Sequence, residues 1–290
     1  MKKTADIPVD FIDRMDEQLR SDLLKKDEKI VRRQLWENTY IKHQIDKRER
    51  VKSFTVNEHI RGMVYSMLSS DTKWESVVED MDEATGQILP VDDIFHGYDP
   101  EWLLRCSPEQ LSKEVLKLHY GCRFIAKQTE ALLHTNIPKL LQLKEQYGAI
   151  DNYYAEIIRR DGTLKTLVKT LSDAKSENKM AQMNKPLVSE YLRNVGYDLP
   201  KPDRHIRRIL GRVFGLENET VPEFEAFDTI AELAQASGRK RAEVDYILWS
   251  YCADGFGEIC TANNPKCGQC TAKEYCAYDQ SEIDSKNKEC

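Results

Sequence analysis

Apolar residues recur along most of the chain at intervals of three and four. The stretch EQLSKEVLKLHYGCRFIAKQTEALL (109–133) is a clear instance, and that spacing gathers its apolar side chains on one face of a helix. Alternating β-branched runs are nearly absent, and glycine and proline are scarce, at 13 and 10 in 290 residues. The pattern predicts an all-α chain without a repeat of fixed period. The first 55 residues are highly charged and helical in pattern, and they break near Lys52-Ser53-Phe54-Thr55. A new helix can be capped there before HIRGMVYSMLSS (59–70), which places a boundary at 56/57. Farther on, residues 183–215 read MNKPLVSEYLRNVGYDLPKPDRHIRRILGRVFG. An apolar helix from about Pro186 ends at Gly196, and a loop carrying Pro200 and Pro202 follows. A second helix then begins just after Asp203 with basic residues on its first turns. Asp203 is thereby a candidate N-cap.

Length allows a substantial core and one large or two modest domains. No run of about 18 apolar residues occurs, and the opening MKKTADIPVDFIDRMDEQ is too polar for a secretory signal. These features lead us to expect a soluble protein of the cytoplasm, or of the nucleus in a nucleated cell, with no membrane partner. The formal net charge of −6, averaged over the chain, weakly opposes nucleic-acid binding. Local charge changes that picture: basic runs stand at Lys47–Lys52, Arg204–Arg212 and Arg239–Arg241, while acid collects at VVEDMDE (77–83) and VDD (91–93).

The 8 cysteines, in a chain without an export signal, point away from a disulfide scaffold. Cys260, Cys267, Cys270 and Cys276 follow the spacing C-x6-C-x2-C-x5-C, tight enough to wrap one compact centre. Cys106, Cys122, Cys252 and Cys290 show no such clustering and read as ordinary buried or tail thiols. A structural zinc is the alternative, but zinc ribbons pair two short knuckles across a longer gap. The stretch CTANNPKCGQC (260–270) with Cys276 resembles the iron–sulfur loop of endonuclease III and its adenine-glycosylase relatives, with Pro265 and Gly268 also in place. That resemblance implies a [4Fe–4S] cluster on the four cysteines, with Lys266 offered to a DNA phosphate.

A second motif agrees. YLRNVG (191–196), then DRH (203–205), with Ser189 in register, resembles the active-site region of helix-hairpin-helix DNA glycosylases, in particular archaeal 8-oxoguanine glycosylases. The separation of Asp203 from Cys260 also matches that superfamily. Asp203 then serves as cap and catalyst, because cleavage of an N-glycosidic bond creates positive charge on the sugar that a fixed anion stabilises. The resemblance is strongest over 180–276, weaker over 57–180, and absent from 1–56.

The hairpin departs from the pattern. Relatives place Gly-hydrophobic-Gly where this chain has Gln182-Met183-Asn184. Met183 keeps the hydrophobic anchor and Asn184 can take the left-handed conformation of the second glycine, whereas Gln182 is not expected to copy the first. Upstream, MLSSDTKW (67–74) resembles the "LLS-x-Q" helix end that fills the gap behind an everted base, with Asp71 in that place and Tyr65 and Trp74 as pocket candidates. Bifunctional relatives carry a lysine at the start of the hairpin's second helix. Counting back from Asp203 lands on Lys185, but aligning the helix through Ser189 lands on Pro186, and proline suits a first helical turn. The helix register implies a monofunctional enzyme, with Lys185 facing phosphate; the counting register implies a glycosylase/lyase using Lys185.

The expected fold is thus an all-α, two-lobed helix-hairpin-helix glycosylase fold with a C-terminal cluster loop. Residues 1–56 form an extension on the cluster lobe, 57–196 the helical barrel, and 197–290 the lobe with Asp203 and the cysteines. The expected activity is excision of a damaged or modified base from double-stranded DNA by a monomer, with Gln182, Met183, Asn184, Lys185, Asp71, Arg204, His205 and Lys266 as DNA contacts. A catalytically silent DNA-binding protein and an electron carrier are the alternatives, and the DRH segment argues against both.

Overall fold

A computed structural model of the chain describes residues 8, 10–23, 25, 33–70, 72, 74–119, 124–215 and 220–278. Among these residues the regular structure is helical, apart from one isolated antiparallel bridge between Met81 and Ile88. No helix among them is long and apolar enough to cross a membrane. The chain divides into two compact units, one made of Met1–Val31 with Pro200–Cys290, the other of Arg32–Leu199. Helix α1 (Phe11–Leu23) belongs to the first unit. The second holds α2 (Tyr40–Arg50), α3 (Val56–Leu68), α4 (Trp74–Glu79), α5 (Leu89–Ile94), α6 (Pro100–Leu103), α7 (Pro108–Lys117) and α8 (Ile125–Ala131). It continues through α9 (Ile137–Tyr147), α10 (Ile150–Asp161), α11 (Leu164–Ser172) and α12 (Lys185–Asn194). The chain then re-enters the first unit as α13 (Arg204–Phe214), α14 (Glu223–Ser237) and α15 (Arg241–Cys252), followed by the cysteine loop.

In the unit of residues 32–199, α3 is buried along nearly its whole length. Its start is a capping box: the Thr55 hydroxyl accepts from the Glu58 N–H, and the Glu58 carboxylate accepts from the Thr55 N–H. Ile60, Met63 and Leu68 have no solvent exposure, and such side chains contribute about 1.5–3 kcal/mol each. α3 lies along α12. Gly62 permits that approach, since a Cβ there would stand 3.1 Å from Val195 Cγ1 and 3.3 Å from Asn194 Cβ. Asn194 Nδ2 donates to the Gly62 carbonyl at 3.1 Å.

The boundaries differ from those read in the sequence. The units divide at 31/32 and 199/200, so residues 32–56 belong with the unit that holds α3 and α12, and only α1 stays with the cysteine loop. The cause is buried polar chemistry that no local pattern announces. From α2, Arg48 donates through Nη2 to Asp151 at 2.8 Å and through Nε to the Val195 carbonyl at 2.6 Å. Asp151, which is 3% exposed, also accepts from the Phe54 N–H at 2.7 Å and the Tyr197 hydroxyl at 3.0 Å, with His59 Nε2 at 3.3 Å. His59 Nδ1 stands 2.6 Å from the Tyr191 hydroxyl, itself 2.9 Å from that of Tyr154. This one network ties α2, α3, α10 and α12.

In the other unit, Phe11, Ile12, Met15 and Leu19 of α1 enter one core with Ile206, Leu210 and Val213 of α13, Ile230 and Leu233 of α14, and Val244, Leu248 and Tyr251 of α15. Cys260, Cys270 and Cys276 pack against that core.

Candidate functional site

Asp203 is the N-cap of α13, in extended conformation. Its Oδ1 accepts from the His205 N–H at 2.8 Å and the Ile206 N–H at 3.1 Å. Its Oδ2 carries no hydrogen bond among the described residues. The carboxylate is half-buried and Arg204 beside it is exposed. One oxygen is therefore fixed by the helix end, and the other is left without a bond from any described residue. The loop before it is braced from α15: the buried carboxylate of Asp245 accepts the Lys201 N–H at 2.8 Å, and the Lys201 carbonyl accepts the Asp203 N–H at 2.7 Å. Burial pushes the His205 imidazole below its ordinary pKa; Arg208 and Arg204 add to this, against the opposing pull of Asp203. His205 is then neutral at neutral pH, with its Nδ1 3.2 Å from Arg208 Nη2. Trp249 of α15 meets the His205 ring edge-on at 6.4 Å and stacks on Tyr246 at 6.1 Å. Neither Asp245 nor Trp249 carries a spacing signal that would have singled it out in the sequence.

The four cysteines that follow are free thiols, all partly exposed. Arg212, at 4% exposure, threads the loop: Nη1 donates to the Thr261 carbonyl at 2.7 Å and lies 3.7 Å from Cys260 Sγ, while Nη2 donates to the Ala262 carbonyl at 2.9 Å. A hydrogen bond from Cys252 and, against burial, the guanidiniums of Arg212 and Arg208 lower the Cys260 thiol to about 6. Burial raises Cys270, and it raises Cys276 to about 11. Among the described residues, no three His, Cys, Asp or Glu side chains stand close enough to hold one metal ion. A cluster puts each thiolate on its own iron, a wider spacing than a single ion needs. The donor set suits such a group: four soft thiols on one short loop, within electrostatic reach of one another, beside two guanidiniums that offset thiolate charge. Lys266 is 44% exposed and lies 3.5 Å from Glu258, a surface pair that a phosphate can compete with.

In the unit of residues 32–199, the turn before α12 corrects the sequence reading at two positions. Gln182 takes the left-handed conformation, φ 57°, and Asn184 does not: it is extended, φ −85°, as the N-cap of α12, its side chain accepting from the Leu187 N–H at 3.1 Å. Capping requires extended backbone at Asn184, so the reversal falls on exposed Gln182, whose side chain stands in solvent. Met183 is 3% exposed and anchors the turn as expected. α12 starts at Lys185, with Pro186 second, one residue earlier than the sequence placed it. Lys185 and Pro186 are both half-buried.

The turn has a brace that the sequence hides. Asn136, 2% exposed, closes a π-helical turn, Leu132–Asn136. It donates to the Ala181 carbonyl at 3.1 Å and accepts the Ala181 N–H at 2.8 Å. π-bulges concentrate at functional positions, and this one points a side-chain amide at the backbone next to Gln182. Lys139 Nζ reaches the Glu177 and Lys179 carbonyls, both at 2.9 Å.

Of the other sequence candidates, Asp71 lies outside the described residues. Tyr65 is not a free pocket wall: it is 3% exposed, donates to Asp92 at 2.8 Å, and accepts the Ile88 N–H at 2.8 Å. Trp74 opens α4 and is partly exposed.

No family model matches the chain, and no curated protein matches it. Two solved structures are similar to it. One is the crystal structure of the Methanocaldococcus jannaschii 8-oxoguanine DNA glycosylase, with a TM-score of 0.46 and 20% identity, covering 77% of this chain and 92% of that one. The other is the 8-oxoguanine glycosylase/lyase of the same organism in complex with 15mer DNA containing 8-oxoguanine, with a TM-score of 0.48 and 17% identity, covering 82% of this chain and 96% of that one. Both likenesses are distant, so the functional reading rests on the residues described above.

Proposed function

We propose that the chain is a DNA glycosylase that everts a damaged or modified base from double-stranded DNA and hydrolyses its N-glycosidic bond. The observation that carries this reading is the Asp203 carboxylate, fixed through Oδ1 by two backbone N–H groups and open at Oδ2. As the glycosidic bond breaks, its electron pair leaves with the base and the sugar gains positive charge. Asp203 stabilises that charge, orients a water toward the sugar carbon and takes up its proton. Because the carboxylate is held before the reaction begins, it need not reorganise as charge develops.

The hairpin supports the same reading from the other unit. A turn held by Met183 and Asn136 presents backbone at Gln182 and the N-terminus of α12, a arrangement suited to a DNA phosphate. Arg204, His205 and Lys266 are proposed as further DNA contacts. We assign the attack on the sugar to water held by Asp203, which leaves an intact abasic site; Lys185 opens α12 with Pro186 second, so a glycosylase/lyase that uses the Lys185 amine is the second reading, and borohydride trapping separates the two. Cys260, Cys267, Cys270 and Cys276 would hold a [4Fe–4S] cluster, whose contribution when bound is to fix the loop and Lys266. Excision itself needs no electron transfer.

The test is direct. Purified protein is incubated with DNAs carrying oxidised, alkylated and natural modified bases, and released bases are identified by mass spectrometry. Release of one class, absent in Asp203→Asn, is expected. Release of none, by protein that binds those DNAs, would overturn the assignment in favour of a silent DNA-binding protein.

A further inference from the structure

Helix α1 does more than fill the core beneath the cysteine loop. Its apolar face, Phe11, Ile12, Met15 and Leu19, is at most 4% exposed, and its polar side reaches the loop directly. Gln18 Nε2 donates to the Gln269 carbonyl at 2.6 Å. Gln18 Oε1 accepts from the Thr271 N–H at 3.2 Å and from the Tyr251 hydroxyl. One side-chain amide thus brackets Cys270, bonding the peptide group on either side as a neighbouring strand would. The Tyr251 oxygen stands 3.5 Å from Cys270 Sγ and accepts the Thr271 N–H at 3.2 Å. A second tie lies one turn back: Arg14 pairs with Glu274 at 2.7 Å and lies over the Tyr275 ring at 5.5 Å, next to Cys276. On its other flank α1 is fixed by Arg239, which pairs with Asp13 at 2.8 Å and Asp16 at 3.1 Å.

We infer that α1 is a strap on the cysteine loop and that Gln18 is the positioning residue for Cys270, setting how readily that thiolate leaves the cofactor. The inference rests on the cluster reading for its consequence, but the clamp is geometric. Cys260 is held from α13 by Arg208 and Arg212, without any bond to α1, so it serves as an internal reference. The strap also explains why a short polar segment far from the cysteines in sequence is built into their unit.

The experiment uses the full-length protein as purified without air. Wild type, Gln18→Ala and Gln18→Glu are exposed to an iron chelator with an alkylating reagent, and labelling of each cysteine is followed by peptide mass spectrometry alongside iron release. Gln18→Ala removes all three bonds and should label Cys270 at least about five-fold sooner than wild type, the factor corresponding to one lost hydrogen bond of about 1 kcal/mol, with Cys260 unchanged. Gln18→Glu keeps the acceptor and loses the donor to Gln269, so it should fall between them; it also carries the test if the alanine variant folds poorly. Cys270 labelled no sooner in either variant, or Cys260 accelerated equally, would overturn the clamp. Iron content reports separately: iron-free wild-type protein would overturn the cluster reading, whatever the labelling shows.

Discussion

Replacing Asp151 by Asn should destabilise the unit of residues 32–199 by about 3 kcal/mol at pH 7, and the size of that effect can be worked from its contacts. Burial alone would raise this carboxyl. The bond to His59, the Arg48 guanidinium and the Phe54 N–H overcome it and hold the pKa at about 2, against an ordinary 3.8. A carboxyl held at about 2 rather than 3.8 corresponds to about 2 kcal/mol favouring the charged form. The site is 3% exposed, so solvent screening removes little of it. An asparagine amide adds a misplaced donor facing the Phe54 N–H or Arg48, at about 1 kcal/mol more. The total is at the lower end of what breaking a buried ion pair costs, and within the stability of an ordinary domain.

The sign of the pH dependence follows. A depressed carboxyl contributes fully above its unfolded value and loses that contribution as pH falls through 3.8 toward 2. The gap between wild type and Asp151→Asn should therefore narrow by about 1 kcal/mol on going from pH 7 to pH 3. Urea unfolding followed by fluorescence measures this, since Trp36, Trp74 and Trp102 lie in the unit of Asp151 and Trp249 in the other. A gap that stays constant with pH, or one below about 1 kcal/mol, would refute the view that Asp151 holds this unit together as a charged group.

Asp203→Asn keeps the capping oxygen and removes the charge, so excision should fall roughly 100-fold or more while DNA binding by fluorescence anisotropy is retained. Asn136→Ala removes both bonds to Ala181 and should weaken binding to undamaged and modified duplexes alike, by about ten-fold, with little change in the salt dependence that counts phosphate contacts. Borohydride added during turnover should trap no protein–DNA adduct; an adduct that disappears in Lys185→Ala would instead assign the lysine a covalent role.

The parts of this molecule that were legible in the sequence are those decided by neighbours a few residues apart. The cap before HIRGMVYSMLSS and the Asp203 cap each depend on a side chain meeting backbone within one turn, and the anchor at Met183 on a single apolar residue in the turn. The Gln182-Met183-Asn184 turn shows where local reasoning stops. Asparagine tolerates left-handed backbone better than glutamine, yet Asn184 is committed to the α12 cap and Gln182 takes the strain. Position 184 can satisfy one demand only, and the helix end supplies the larger gain. The boundary at 31/32 was hidden for another reason. Arg48, His59, Asp151 and Tyr191 pair across large separations, and a charged residue inside a charged helix such as α2 reads as a solvated face until its partner is found. Asn136 and Gln18 belong to the same class, polar side chains whose targets are backbone groups that no spacing rule connects to them.

Helix α13 joins the two chemistries of its unit. Its first residue follows Asp203, and its later turns carry Arg208, which donates to the Cys260 carbonyl at 3.3 Å, and Arg212, which holds the Thr261 and Ala262 carbonyls. Cys252 at the end of α15 lies 3.9 Å from the His205 carbonyl, and Asp245 of that same helix fixes the loop before Asp203. A guanidinium as buried as Arg212 is costly unless anionic or carbonyl oxygens surround it, and here the cysteine loop supplies them. Loss of the loop's geometry would leave that charge unsatisfied along α13, whose first N–H groups hold Asp203 Oδ1. Under the proposed function, the cysteine loop therefore bears on excision through α13, by deciding whether the helix that carries Asp203 at its N-cap is fully paired.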